Sequence, residues 1–249
     1  MKPIPIYRES SHQLIKKRKK QMKTLFRPLI VLLCAAVAFS SCMKDTSAED
    51  EAAQREAEQA FKALLSEQKT KIDAYIAANP SEAPGGWQED EWKIDLYALG
   101  ETVNRGIRFE VLAVPSEEDD EAYTYEVAPG GQTVVRPEVT VNYRVFLLNG
   151  DKEAEPVQSG ENQKFDFATF SSNSSPIYTP VWEYAFFPKS YPPINGNEIP
   201  YWGLTAKGLK KGSHIRVITP SPWGYGEKAV DNIPANSPLV YEFEVLSIE

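Results

Sequence analysis

Apolar side chains recur between residues 47 and 79 at the spacing of a single helix face. They are Phe61, Leu64, Leu65, Ile72, Tyr75 and Ile76. Steps of three, four and seven residues keep one narrow stripe on a helix. Asn79-Pro80 ends the pattern and the breaker SEAPGG follows. The pattern therefore predicts one long, partly exposed helix over 47–79.

After Trp87 the period changes to two. The segments IRFEVLAV, TYEV, VTVNYRVFLL, HIRVI and LVYEFEVL alternate apolar with polar residues and are rich in β-branched and aromatic types. The acidic segment 116–122 and the PGG turn at 129–131 are interpreted as loops, and 204–211 as the one short helix of this half. The expected fold class is α+β, an antiparallel sheet wrapped on one short helix and preceded by a long N-terminal helix.

The stretch 170–197 reads FSSNSSPIYTPVWEYAFFPKSYPPINGN and contains five prolines. That many prolines exclude a regular helix or strand throughout. Its aromatic residues leave two interpretations open. The stretch is either a packed lid over a groove or a satellite core under an irregular loop.

The formal net charge of −8 is unevenly distributed along the chain. Residues 1–41 contain nine Lys or Arg and a single acid, Glu9, so the remaining residues are strongly acidic. An acidic surface repels phosphate backbones, which argues against nucleic acid as a partner.

The N-terminal basic run is followed by an apolar stretch, 25–39, that is too short to span a bilayer. A basic flank, a short apolar core and small residues describe a secretory signal. The final FSSC, ending at Cys42, resembles a bacterial lipobox, with translation starting at Met1 or Met22. An uncleaved anchor helix or a fortuitous cysteine is the alternative. We therefore expect a signal peptide over 1–41 and a lipid anchor at Cys42.

This assignment predicts a lipoprotein of the cell envelope, held in the outer membrane on its periplasmic or surface side. Residues 42–87 would form a tether and the N-terminal helix, and 88–249 the folded domain. Cys34 would leave with the signal and Cys42 would be acylated, so no thiol would remain for a nucleophile or a metal. No metal and no cofactor is expected.

Three segments resemble, in order and in spacing, the FKBP-type peptidyl-prolyl cis-trans isomerases. They are VTVNYRVFLLNG (139–150), EIPYWGLTAKGLKKG (198–212) and HIRVITPSPWGYGEKAVDNIPANSPLVYEFEVLSIE (214–249). The resemblance covers about 104–249, with 170–197 as an insertion. It implies an FKBP-like fold and an isomerase or folding helper whose substrates are proline-containing protein segments.

Rotation about an Xaa-Pro bond faces a barrier of about 20 kcal/mol, because twisting breaks amide resonance. The twisted amide is less polar than the planar one, so a dry aromatic pocket stabilises it. The resemblance makes Trp202 the pocket floor and places Ile233 beside the groove. It implies that the Tyr225 hydroxyl and the Ile199 backbone N–H donate hydrogen bonds to carbonyl groups of the ligand. It assigns the walls to Tyr143, Phe165 and Tyr241. Core packing is the alternative for each aromatic residue, above all for Tyr143 and Tyr241.

Three questions stay open in the sequence. The family's Phe-Asp motif corresponds either to Val157-Gln158, with the acid lost, or to Phe165-Asp166; strand alternation in KFDF favours the first. The N-terminal helix either packs on its own domain or forms a homodimer, as in some FKBP relatives. The main alternative to catalysis is a non-catalytic binding module whose groove holds a partner segment.

Overall fold

The computed structural model describes residues 47–129, 133–148, 155–194 and 197–249. The signal peptide assigned to 1–41, Cys42 and part of the PGG turn lie outside the described residues. Residues 47–249 form one compact unit.

The helices described are α1 (Ser47–Ala78), α2 (Glu117–Ala122) and α3 (Pro180–Phe186). The strands described are β1 (Gln88–Glu89), β2 (Lys93–Leu96), β3 (Glu101–Asn104), β4 (Arg108–Ala113), β5 (Glu138–Leu147), β6 (Gln158–Asp166), β7 (Ser190–Ile194), β8 (Asn197–Pro200), β9 (His214–Thr219) and β10 (Leu239–Ile248). Six of these strands form an antiparallel sheet in the order β1-β4-β9-β10-β5-β6, and β2-β3 and β7-β8 form two hairpins. The predicted α+β class and antiparallel sheet are confirmed.

Both faces of the central strands are covered. In β10 the residues Leu239 to Phe243 are all buried, so the simple alternation of a one-sided sheet is lost. Helix α3 and the aromatic residues around it cover one face. The C-terminal half of α1 covers the other, where Ile72 and Tyr75 pack with Ile218 and Val240.

The predicted N-terminal helix is confirmed almost residue for residue. It ends at Ala78, where the Asn79 side chain donates from Nδ2 to the Tyr75 carbonyl at 2.9 Å. Its C-terminal half packs on its own domain, which agrees with the first of the two interpretations of this helix. Its first part, residues 48–57, is exposed, and dimerisation through that part stays a prediction.

The position of the short helix was predicted wrongly. Residues 204–211 are irregular and include Gly208 at φ 73°. The helix against the sheet is α3, inside the stretch expected to be irregular. It begins with Pro180, whose fixed φ suits the first helical turn, and it buries Val181, Trp182, Ala185 and Phe186 on one side.

The acidic segment 116–122 is helix α2 rather than a loop. Ser116 caps it, since its Oγ accepts a hydrogen bond from the Asp119 N–H at 3.1 Å. Four acids in the first turn also favour the helix, because negative charge is stabilised at a helix N-terminus.

The TYEV segment likewise differs from expectation, since it contributes only a bridge between Val127 and Val134.

The β7-β8 hairpin is inserted directly after α3. The chain leaves α3 at Phe186 and returns at Leu209, whose N–H donates to the Phe186 carbonyl at 2.8 Å. The Tyr125 hydroxyl lies 2.7 Å from both of these residues' carbonyl oxygens and so holds the two ends of the insertion together. Residues 209–212 therefore follow α3 in space although the hairpin separates them in sequence.

Candidate functional site

An aromatic cluster lies between α3 and the sheet, with the indole of Trp182 at its centre. Ring centroids at 4.7–5.8 Å surround this indole, and the closest is that of Phe243. The others belong to Phe165, Phe170, Tyr143 and Phe186. These distances are those of offset and edge-to-face aromatic packing. The rings of this cluster leave the indole of Trp182 without exposed surface.

Neighbouring strands bring the wall residues together. Tyr143 in β5 is the register partner of Phe243 in β10 and of Gly160 in β6. A Cβ at position 160 would lie 2.5 Å from the Tyr143 ring, so glycine lets that ring lie across the edge strand. Phe165, later in β6, then meets Tyr143 at 6.1 Å.

Tyr225 and Gln158 form the polar contact of the site. The Tyr225 hydroxyl donates to Gln158 Oε1 at 2.6 Å. Burial raises the pKa of Tyr225 to about 12, so the hydroxyl keeps its proton at neutral pH and can act as a donor. Gln158, rather than Asp166, thus lies beside this tyrosine. The Asp166 carboxylate instead accepts from the Ala168 N–H at 2.8 Å within a turn.

Three further predicted residues lie in or beside the core. Tyr241 has no exposed surface, and its hydroxyl is hydrogen-bonded to Thr179 Oγ1 at 3.1 Å. Its ring stacks on that of Phe243 at 5.8 Å, and Phe243 in turn packs on Trp182, so the assignment of Tyr241 to the wall stays a prediction. Ile233 is buried in a tight backbone pair with Val230, and Val157 packs at the margin of the main core.

The structure contradicts the placement of Trp202 at the pocket floor. Its ring packs on Tyr201 at 4.2 Å, and its carbonyl accepts from Arg105 Nη2 at 2.8 Å. Ile199 lies in β8 opposite Tyr191, within the inserted hairpin. Both residues belong to the insertion, and Trp182 takes the central position that the sequence had assigned to Trp202.

The sequence contains a signal for the helix that carries Trp182. Thr179-Pro180 is a typical helix start, and the apolar residues that follow share one helix face. Trp202 lies ten residues before Gly212, a spacing that also fits the family resemblance. That spacing is misleading, because the β7-β8 hairpin separates Trp202 from α3.

The floor of the site is closed in this conformation. Trp182 and Phe243 have no exposed surface and Tyr143 is 7% exposed, whereas Phe165 and Tyr225 are half-buried. Phe170, from the loop before α3, packs on Phe165 at 4.6 Å. A proline ring can therefore touch the indole only after one of these rings moves. The stretch 170–197 supplies a helix and core residues as well as irregular chain.

Within the described ranges, no group of three or more His, Cys, Asp or Glu side chains is arranged to hold a metal ion. Among the helices in those same ranges, none is both long and apolar enough to cross a membrane.

Residues 192–246 match the family model of FKBP-type peptidyl-prolyl cis-trans isomerases. FkpA of Buchnera aphidicola subsp. Baizongia pistaciae, an isomerase of this type, is 41% identical over 111 residues, which are 45% of this chain and 33% of that protein. FkpA of Escherichia coli strain K12 is 39% identical over 51 residues, 20% of this chain and 19% of that protein. These matches confirm the resemblance to FKBP-type isomerases, which the family model places in residues 192–246.

A peptidyl-prolyl cis-trans isomerase of Saccharomyces cerevisiae is 35% identical over 54 residues, 22% of this chain and 13% of that protein. The matched part of the chain thus spans no more than a third of the length of each of these curated relatives. Among solved structures, FkpA from Escherichia coli aligns with a TM-score of 0.39 and 16% identity, over 98% of this chain and 84% of that chain. The peptidyl-prolyl cis-trans isomerase from Pseudomonas syringae pv. tomato also aligns with a TM-score of 0.39 and 16% identity, over 76% of this chain and 95% of that chain.

Proposed function

We propose that this protein is a peptidyl-prolyl cis-trans isomerase acting on proline-containing protein segments. The observation that supports this most is the aromatic cluster centred on Trp182, with Tyr225 packed at the margin of the same core and bonded to Gln158, in a chain whose residues 192–246 match the family model. The cluster offers the rings that would enclose a proline, and Tyr225 offers a protonated donor.

The proposed mechanism needs no covalent step. After one of the rings that close the floor has moved, the proline ring enters between Tyr143, Phe165 and Trp182, where the less polar twisted amide is stabilised relative to water. Tyr225 transfers its hydrogen bond from Gln158 to a carbonyl of the substrate. Every 1.4 kcal/mol of preference for the twisted amide gives about a tenfold increase in rate.

The test is the rate of cis-trans isomerisation of a short Xaa-Pro peptide, and of a refolding protein limited by proline isomerisation. We expect the purified protein to accelerate both. Tyr225→Phe removes only the hydroxyl, and the loss of one hydrogen bond of about 1 kcal/mol should lower kcat/KM by about fivefold. Tyr97→Phe, at a residue that is 76% exposed, is the matched control and should leave the rate unchanged. Wild-type activity in Tyr225→Phe would contradict the assigned role.

A second candidate function is a non-catalytic module that binds a partner segment. The complete burial of Trp182 favours it, since a closed floor leaves only the outer rings for contact. A folded protein that binds the Xaa-Pro peptide without accelerating its isomerisation would support this candidate and overturn the first.

We also propose that the protein is attached to the cell envelope by a lipid at Cys42. The basic run, the short apolar stretch 25–39 and FSSC support the proposal. In a bacterial host fed labelled fatty acid, label should enter the wild-type protein and Cys34→Ser but not Cys42→Ser. Label retained by Cys42→Ser would contradict it.

A further inference from the structure

The buried stripe of α1 contains one polar residue. Leu65 and Ile72 lie one turn before and one turn after Gln68, and all three side chains are buried. An amide in such a position costs free energy unless its donors and acceptor are hydrogen-bonded, and an apolar residue of similar size avoids that cost. The contacts of Gln68 therefore need an explanation.

The Gln68 amide is hydrogen-bonded on both sides. Its Oε1 accepts from the Ser221 backbone N–H at 2.7 Å. Its Nε2 donates to Ser221 Oγ at 2.8 Å and to the Asn236 carbonyl at 3.0 Å. The orientation of the amide follows from its partners, because a backbone N–H requires an acceptor and a carbonyl requires a donor.

Ser221 and Asn236 are the two ends of one loop, and this loop contains Tyr225. At the base of the loop, the Gly226 N–H donates to the Ser221 carbonyl and the Asn236 N–H donates to the Gly226 carbonyl, both at 2.8 Å. The Gln68 side chain thus fastens both ends of the loop to α1. Phe61, two turns earlier on the helix, also contacts the loop through an edge-to-face contact with Trp223 at 6.1 Å.

We propose that Gln68 is a positioning residue for the site, which fixes the loop 221–236 so that the Tyr225 hydroxyl stays beside Gln158, its hydrogen-bond partner. Helix α1, outside the sheet, then forms part of the scaffold of the site. The effect on catalysis rests on the proposed isomerase function, whereas the effect on the loop does not.

The test uses Gln68→Met, which keeps the length of the side chain and removes all three hydrogen bonds. Leu65→Ala is the matched control, since it weakens the same helix face without removing a polar contact. Ser221→Ala, which removes only the bond to Oγ, is the milder second variant. Two measurements are made under conditions where each variant is fully folded: kcat/KM for the Xaa-Pro peptide, and hydrogen exchange of the Ser221, Gly226 and Asn236 amides.

In Gln68→Met we expect kcat/KM to fall on the order of tenfold, as misplaced catalytic groups do, and exchange at the three amides to accelerate by at least as much. Leu65→Ala should leave kcat/KM within twofold and should not speed exchange selectively in the loop. Ser221→Ala should shift both measurements in the same direction as Gln68→Met, to a smaller extent.

Unchanged loop exchange in Gln68→Met, or in Ser221→Ala if the first variant does not fold, would overturn the proposal. An equal loss of kcat/KM in Leu65→Ala would also overturn it, because the effect would then be one of general stability. A wild-type protein without isomerase activity would refute the proposed function instead, and the exchange measurement would still decide whether Gln68 fixes the loop.

Discussion

Replacement of Trp182 by alanine is expected to lower the free energy of unfolding by about 3–5 kcal/mol, the cost of removing a large buried aromatic side chain. The indole has no exposed surface, and ring neighbours from α3, β5, β6 and β10 pack around it. Since these neighbours belong to four different packed elements, we expect the cavity to collapse only in part. Denaturant unfolding of the purified protein measures the change.

Trp202→Ala is the control for this prediction. Trp202 is half-buried, and its ring contacts Tyr201 in the inserted hairpin. We expect its replacement to cost about 1–2 kcal/mol, in the ordinary range of single substitutions. A larger loss of stability for Trp202→Ala than for Trp182→Ala would contradict the central position of Trp182.

The same pair of tryptophans separates the two assignments of the pocket floor in the isomerase assay. Trp182→Phe keeps an aromatic ring and is expected to fold, yet it should lower kcat/KM by about tenfold because the ring no longer fills the floor. Trp202→Ala should retain activity within twofold. The reverse result would restore the assignment made from sequence.

Much of the sheet could be predicted because period-two alternation in β5, β9 and β10 reports directly on local geometry. The resemblance assigned Tyr143, Phe165 and Tyr225 to the site through short segments of sequence, and strand alternation adds only the face on which Tyr143 and Phe165 lie. In each case the relevant information lies within a few residues of the one predicted.

The pocket floor could not be predicted in the same way. Leu209 lies next to Phe186 in space, although the inserted hairpin separates the two residues in sequence. The hairpin segment also contains Trp202, whose spacing from Gly212 resembles that expected of the floor residue. The role of Gln68 is equally invisible to local patterns, because its partners Ser221 and Asn236 lie more than 150 residues away. Such relations depend on tertiary contacts, for which a single sequence carries no direct signal.

A buried ion pair gives the second large effect that we expect. Arg105 Nε bonds to Asp90 Oδ2 at 2.6 Å, and both side chains are almost fully buried. The same guanidinium donates to the Trp202 carbonyl and lies 3.8 Å above the Tyr184 ring of α3. The pair therefore joins the N-terminal part of the domain, the inserted hairpin and the helix that carries Trp182.

Asp90→Ala is expected to lower the free energy of unfolding by about 3–5 kcal/mol, because it leaves a buried guanidinium without its counter-charge. Glu91→Ala, at the next residue, is the control, since its pair with Lys189 at 3.2 Å is largely exposed and should contribute less than about 1 kcal/mol. Denaturant unfolding of both variants compares the two costs directly.

The double replacement Asp90→Leu with Arg105→Met gives the prediction its sharpest form. Removing both charges leaves no ion unpaired, so most of the stability lost in Asp90→Ala should return. If the double variant is as unstable as the single one, the loss comes from packing around Tyr184 and Trp202 rather than from the unpaired charge. If Asp90→Ala costs no more than Glu91→Ala, then the charge of Arg105 is compensated without Asp90, and the pair does not join the three parts of the domain.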